Sequence, residues 1–132
     1  MGSSGWVGVA LVKIASLYLL VGLALGLAMA LAEDFRLVSV HSHLLLLGWA
    51  TLAITGIVYV VRPRCADTRL AVAHFWLHNL GLPVMMLSLS AAHLGEPRAE
   101  PLVGLGSALV SGGLGLFTLN VLRTASSPDE PA

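Results

Sequence analysis

Four long apolar stretches, separated by short polar interruptions, dominate the hydrophobic pattern of the chain. They cover approximately residues 12–31, 38–61, 70–92 and 102–122. Each is long enough for a membrane-spanning helix, which needs roughly 20 apolar residues. No barrel-like alternation of apolar and polar residues is present, so closed backbone hydrogen bonding requires helices. The pattern predicts an all-α integral membrane four-helix bundle over residues 1–123 and a polar, disordered tail over 124–132.

The composition supports a bilayer rather than water as the solvent. Of the 132 residues, 57% are hydrophobic and only 11% are charged, and the mean hydropathy is +0.88. A soluble globule of this size cannot bury that much apolar surface, whereas membrane lipid can solvate it. The formal net charge is zero and the basic residues are scattered, which gives nucleic-acid binding no support. The single cysteine, Cys65, excludes an internal disulfide and is expected as an ordinary free thiol in a loop.

The charges in the loops predict how the bundle is oriented. One side carries five basic residues and the other carries two: Lys13, Arg62, Arg64, Arg69 and Arg123 against Arg36 and Arg98. The positive-inside rule then places both termini in the cytoplasm, in a multi-pass protein of the cell's inner (plasma) membrane. We expect the first apolar stretch to be a retained span, because no small-residue cleavage site follows it.

Small residues recur at helical spacing on the first and fourth spans. The two ridges consist of Gly22, Gly26 and Ala30, and of Ser107, Ser111 and Gly115. Such ridges let helices approach closely. The pattern leaves open whether they pack within one subunit or between subunits.

Four of the five histidines lie in the two central spans: His41, His43, His74 and His78. An imidazole at membrane depth is costly and needs a partner, and it is a common ligand of iron and copper. His41 and His43 point roughly 200° apart on a helix, so they cannot chelate one metal together. They can instead serve two sites on opposite sides of the second span. Alternatively, one of them is an interfacial histidine that bonds headgroups or loop carbonyls.

The second pair, His74 and His78, shares one helix face. This spacing suits one metal, or a polar stripe that includes Asn79. The alternative is an interfacial His74, with His78 bonding a serine, an asparagine or a carbonyl across the bundle. We expect His93 to be solvated at the end of the third span, and Tyr59 to belong to an interfacial belt.

Depth in the membrane limits which histidines can share one iron. His43 lies 18 residues from Val61 and His78 lies 8 residues from Leu70, both counted from the cytoplasmic side. At the rise of an α-helix these separations are about 27 Å and about 12 Å, a difference of about 15 Å. Axial ligation by His43 and His78 within one subunit is therefore disfavoured. A parallel dimer places the same histidine of each subunit at one depth across the two-fold axis, so we expect a homo-oligomer, a dimer rather than a trimer.

Two successive segments resemble a known enzyme subunit. The first comprises His41-Ser42-His43, Leu47-Gly48-Trp49, Gly56, Tyr59 and Pro63. It is similar to a late helix in subunit I of the haem-copper oxidase superfamily, above all in the C-family cytochrome oxidases and then in the nitric oxide reductases. The second comprises His74-Phe75-Trp76-Leu77, Asn79, Leu80 and Gly81, and it looks like the next helix of the same subunits. The resemblance covers residues 41–87, about half of the chain.

The resemblance implies roles for individual residues. It makes His41 the candidate high-spin haem ligand and His43 the candidate low-spin ligand. His78 and Trp49 join them as candidate cofactor contacts, although packing is the default role of Trp49. Haem b bound without a covalent link is expected, because Cys65 stands outside any Cys-x-x-Cys-His motif.

Three function classes remain open at this point. The leading one is a b-type haem membrane protein for electron transfer or diatomic-gas (O₂ or NO) chemistry, with an unidentified electron donor; whether it turns over a substrate stays open. The second is a copper-binding membrane protein whose metal ligands are His41, His43, His74 and His78. The third is a non-catalytic interaction subunit.

Overall fold

A computed structural model describes residues 5–125, and within that range the regular structure is entirely helical. The first span is α1 (Gly5–Ala32). The second is continuous but changes its winding twice, in the order α2 (Val38–His43), a π-helical segment (Leu44–Thr51) and α3 (Leu52–Val61). The short helix α4 (Pro63–Ala66) leads into the third span, α5 (Arg69–His93). A 3₁₀ turn (Pro97–Ala99) then precedes the fourth span, α6 (Glu100–Ala125).

Four helices are long and apolar enough to cross a membrane, which supports the prediction of an all-α multi-pass membrane protein. Two predicted boundaries shift. The first span begins at Gly5 rather than at residue 12, because Val7 and Leu11 are buried in the core beside Leu52 and Tyr59. The fourth span continues to Ala125, and the rest of the predicted tail, 126–132, lies outside the described residues.

The spans pair as two helical hairpins. The first hairpin packs α1 along the second span, the second packs α5 along α6, and fewer contacts join the two. One core cluster, which includes Leu52 and Phe75, lies toward the α4 end, and a second, which includes Leu44 and Met85, lies toward the other end. Large apolar side chains such as Leu87, 73% exposed, cover the outside, where lipid would solvate them.

Glycines allow the helices in each hairpin to touch through their backbones. A Cβ on Gly8 would lie 2.8 Å from the carbonyl oxygen of Gly56, and one on Gly106 would lie 2.5 Å from the amide nitrogen of Met85. The ridge on the first span also packs within the chain, because a Cβ on Gly22 would meet Leu45. The first of the two small-residue ridges is therefore used inside the subunit.

Polar side chains attach α4, the connection between the hairpins, to the second hairpin. The Thr68 hydroxyl donates to the side-chain oxygen of Asn120 at 3.0 Å, and the Asn120 amide donates to the carbonyl oxygen of Cys65 at 2.7 Å. Cys65 is a free thiol, as expected, but it lies in the short helix α4, is buried, and is 2.7 Å from the hydroxyl of Thr124. These bonds anchor the start of α5, which carries the third-span histidines.

The loop between the first two spans turns through a local ion pair. Arg36 donates to Asp34 through its side chain and its backbone amide, and this holds the pKa of the Asp34 carboxyl at about 2, well below its usual range. Glu33 adopts a left-handed conformation, with φ of 52°, just before this turn. The turn directs α2, and with it His41 and His43, back along α1.

Candidate metal centre

His41 lies against the first span. Its Nδ1 is 2.8 Å from the carbonyl oxygen of Gly22, and a Cβ on Gly26 would lie 2.6 Å from its Cε1. Because a carbonyl only accepts, Nδ1 carries the proton of the neutral ring. Nε2 is then the nitrogen with a free lone pair, which is the arrangement usual for a histidine that ligates a metal.

His43 has the same protonation pattern by a different route. Its Nδ1 donates to the carbonyl oxygen of Ser39, one turn earlier in the same helix, at 2.7 Å, and its side chain is half-buried. Among residues 5–125, no hydrogen bond is made by its Nε2. Helix α2 is α-helical at both histidines, which is the geometry that directs them to different sides. His43 therefore offers a lone pair that the described chain does not use.

The π-helical segment begins immediately after His43. Over Leu44–Thr51 the chain winds more widely than in an α-helix, and the Thr51 hydroxyl donates back to the carbonyl oxygen of Leu46 at 2.8 Å. The ring of Tyr18 packs against this segment at Gly48, where an added Cβ would lie 2.6 Å from Cγ of Tyr18. π-Helical turns inside α-helices are frequently found at functional sites. The run of leucines gives no signal that distinguishes a π-helix from an α-helix.

His74 and His78 are both completely buried, with 0% of each residue exposed. Their ring centroids lie 5.6 Å apart, and the rings are nearly perpendicular at 82°. The hydroxyl of Tyr59 lies 3.2 Å from Nδ1 of His74, and Nε2 of His78 donates to the carbonyl oxygen of Leu47 at 3.1 Å. The interfacial alternatives for His74 and Tyr59 expected side chains that face the membrane surface, and both side chains are instead buried in the core. The carbonyl partner considered for His78 is present.

Each of these two rings keeps one nitrogen without a partner. Nε2 of His74 and Nδ1 of His78 are buried and make no hydrogen bond within the described chain. A buried polar atom without a partner costs about 1–3 kcal/mol, and native proteins contain few of them. Two on adjacent turns of one helix require an explanation, such as a bound water or ion. The sequence shows the shared face but not Tyr59 or the Leu47 carbonyl, which orient the rings and lie 15 and 31 residues away.

The hydrogen bond of His78 also corrects the depth estimate. It sets His78 level with Leu47, which is only four residues, or about 6 Å, from His43 along the second span. The expected difference of about 15 Å is therefore too large. It assumed α-helical rise throughout and ignored both the wider π-helical winding and the short helix α4 that separates the second and third spans.

The remaining candidates lie apart from these atoms. Trp49 packs against the core cluster at the α4 end, His93 is exposed at the end of α5, and the Asn79 amide donates to the carbonyl oxygen of Phe75 in its own helix. Between residues 5 and 125, no three His, Cys, Asp or Glu side chains come together as a metal-ligand set. The four histidines therefore do not form one copper site.

An apolar cavity of about 380 Å³ lies between the first three spans. Its walls include Tyr18, Leu44, Pro83 and Met86, and none of the described residues that line it is a histidine. Apolar pockets of this size accept small ligands or lipid tails. The cavity itself offers no imidazole to an iron atom.

No protein-family model, no curated protein and no solved structure matches the chain. Its class therefore rests on its own residues. They define a multi-pass helical membrane protein. Two histidines on the second span have rings that are hydrogen-bonded to backbone carbonyls, and two on the third span are fully buried.

Proposed function

We propose that this chain is a b-type haem membrane protein, related to subunit I of the haem-copper oxidases, that serves electron transfer or diatomic-gas (O₂ or NO) chemistry. One observation carries the proposal. His41 and His43 both donate Nδ1–H to a backbone carbonyl, at 2.8 and 2.7 Å, which fixes the tautomer and leaves Nε2 for a metal. This second-sphere bond is what orients a ligating histidine and raises its basicity.

The donor set of the second span fits haem iron, which takes a neutral imidazole nitrogen as its axial ligand. His43 is the proposed low-spin ligand, and His41 is the ligand or close partner of a site on the other side of the helix. The backbone carbonyls of Ser39 and Gly22 hold the two rings. When bound, the haem supplies an iron that accepts one electron or binds a diatomic gas.

The purified protein is expected to contain haem b held without a covalent bond, because no Cys-x-x-Cys-His motif is present. The absorbance spectrum in detergent should show a Soret band and sharp reduced α and β bands, and acid-acetone should extract the haem. Colourless protein, or haem that resists extraction, contradicts the proposal.

We further propose a homo-oligomer, a dimer rather than a trimer, in which His43 from two subunits meets one haem. The unused Nε2 of His43 supports this, because a two-fold axis places a second His43 at the same depth. The fourth span offers a contact surface for a second copy, since Ser111 and Gly115 of its ridge are exposed and a Cβ on Gly115 would meet nothing within 4 Å.

Native mass spectrometry in mild detergent is expected to show a dimer that carries the haem. The matched measurement is the haem spectrum of the same peak. A monomer that keeps a low-spin, bis-histidine spectrum contradicts the shared site, and it moves the pairing to His43 with His78, whose depths differ by only about 6 Å.

The proposed setting is the cell's inner membrane, with both termini in the cytoplasm. Arg62 and Arg69 flank α4 and Arg64 lies within it, while Arg123 adjoins Thr124, which contacts Cys65. These four basic residues therefore lie at one end of the bundle, and the positive-inside rule assigns that end to the cytoplasm. Lys13 contributes less to this bias of basic residues than the sequence implied, because it lies inside α1 rather than in a loop.

A further inference from the structure

A second hollow adjoins the apolar cavity between the first three spans. It has a volume of about 240 Å³ and lies where α1 ends, and its walls include Ala32, Asp34 and Arg36. Leu25 and Leu37 line both the cavity and this hollow, so the two meet at these side chains. Together they form one groove, the inter-span groove, which is apolar at its inner end and charged at its mouth.

The inter-span groove covers one half of the bundle. Its walls run along α1 from Tyr18, at the middle of that helix, to Ala32 at its end. This part of the helix is about 21 Å long, and one leaflet contributes about 15 Å to the hydrocarbon core of a bilayer. Val21 and Leu87 in the walls are 55% and 73% exposed, so the groove opens toward lipid. Its length and its opening suit an acyl chain that enters from one leaflet.

The mouth of the groove carries a positive and a negative group side by side. Nε of Arg36 donates to Asp34 at 3.0 Å and Nη2 donates at 2.6 Å. Nη1 of Arg36 makes no hydrogen bond among residues 5–125, so it can donate to another acceptor. The Asp34 carboxylate stays ionised, because the hydrogen bonds from Arg36 hold its pKa at about 2. A headgroup with both a phosphate and an ammonium complements this pair.

The other charges at this end disfavour a lipid that is anionic overall. Leu94, which follows α5, also lines the hollow, so the loop between the third and fourth spans lies here as well. Within residues 5–125 the two loops carry more acidic than basic side chains: Glu33, Asp34, Glu96 and Glu100 against Arg36 and Arg98. An excess of negative charge attracts an ammonium and repels a headgroup with net negative charge.

We propose that the inter-span groove binds one molecule of phosphatidylethanolamine. The Arg36 guanidinium holds the lipid phosphate, the Asp34 carboxylate accepts from the primary ammonium, and one acyl chain lies in the apolar cavity. Guanidinium matches phosphate oxygens, and a primary ammonium donates N–H groups that the quaternary ammonium of choline lacks. None of the described residues in the walls is a histidine, so this site is separate from the proposed haem ligands.

The test is native mass spectrometry of the full-length protein in detergent, with equal amounts of phosphatidylethanolamine, phosphatidylcholine and phosphatidylglycerol that share the same acyl chains. One phosphatidylethanolamine per chain should be retained, about fivefold in preference to each of the others, as expected for an ion pair at the surface. This arm needs no variant. Equal retention of the three lipids, or a preference for either of the others, overturns the proposal.

Substitutions at the mouth locate the headgroup. Arg36→Gln should lower the retention of phosphatidylethanolamine about fivefold. Asp34→Asn should remove its preference over phosphatidylcholine, because the ammonium loses its carboxylate. Arg98→Gln is the matched control, since it makes the same change of charge at an exposed position of the other loop, and it should bind as the wild type does. Unchanged lipid selection in Arg36→Gln or in Asp34→Asn overturns the proposal.

A substitution at the junction of the two hollows locates the acyl chain. The indole in Leu25→Trp would block the way from the mouth to the apolar cavity, so lipid retention should fall with both charges still in place. Leu23→Trp, at a position that is 54% exposed on the outside of the same helix, is the control and should keep the lipid. Wild-type retention in a folded Leu25→Trp variant shows that the headgroup alone binds, which contradicts the proposed seat of the acyl chain.

Discussion

Replacement of His43 by alanine is expected to lower the haem content of the purified protein at least tenfold and to abolish the low-spin spectrum. The substitution removes the proposed axial nitrogen and little else. His43 is only half-buried, and the hydrogen bond that it makes within residues 5–125 goes to Ser39 in the same helix, so the variant loses no hydrogen bond between helices. The measurement is the reduced-minus-oxidised absorbance spectrum, normalised to protein concentration.

His93→Ala is the matched control for this prediction. It also removes an imidazole, but from an exposed position at the end of α5, and the spectrum should not change. If haem is retained in His43→Ala and lost in a folded His74→Ala variant, the prediction is contradicted. That result would move the haem to the buried pair on the third span.

The arrangement of four spans is predictable from the sequence, because a bilayer demands apolar length before it demands anything else. The ends of the spans are less predictable. Residues 5–11 join the first helix because Val7 and Leu11 pack against the second span. The sequence alone does not identify that packing partner. The ridge at Gly22 shows the same limit: its spacing predicts a close approach, and only the fold shows that Leu45 fills it.

The candidate site, too, is only partly predictable from the sequence. The helical spacing of His74 and His78 predicts one shared face, which follows from helix geometry alone. Their orientation depends on Tyr59 and on a backbone carbonyl in the π-helical segment, and neither is encoded near the histidines in the chain. The depth of His43 relative to His78 could not be predicted either, since the leucine-rich run that follows His43 has the same composition in both kinds of winding.

Loose contact between the hairpins has a consequence for the site. The histidine pair lies on α5 but is oriented by the second span, across the boundary between the two hairpins. Because fewer contacts join the hairpins than hold each one together, we expect the boundary to open more readily than either hairpin does. The α5–α6 hairpin must therefore keep its structure for His74 and His78 to meet the second span in a fixed geometry.

Substitution of Gly106 by alanine is expected to destabilise that hairpin. The added methyl carbon would lie 2.5 Å from the amide nitrogen and 2.7 Å from the Cα of Met85, and backbone atoms cannot move aside as a flexible side chain can. Overpacking of this kind costs about 1–3 kcal/mol. Alanine recovers up to about 1 kcal/mol through its better helix propensity, so the net effect is a loss of stability. The measurement is the midpoint of thermal unfolding in detergent, followed by circular dichroism.

Gly104→Ala provides the matched control, because it makes the same change two residues away on the same helix. A Cβ on Gly104 would meet nothing within 4 Å, so only the gain in helix propensity remains, and the unfolding midpoint should stay level or rise. Alanine is also small enough to keep that surface open to another helix. If both variants unfold at the same temperature, the close backbone contact between α5 and α6 is absent from the protein in solution.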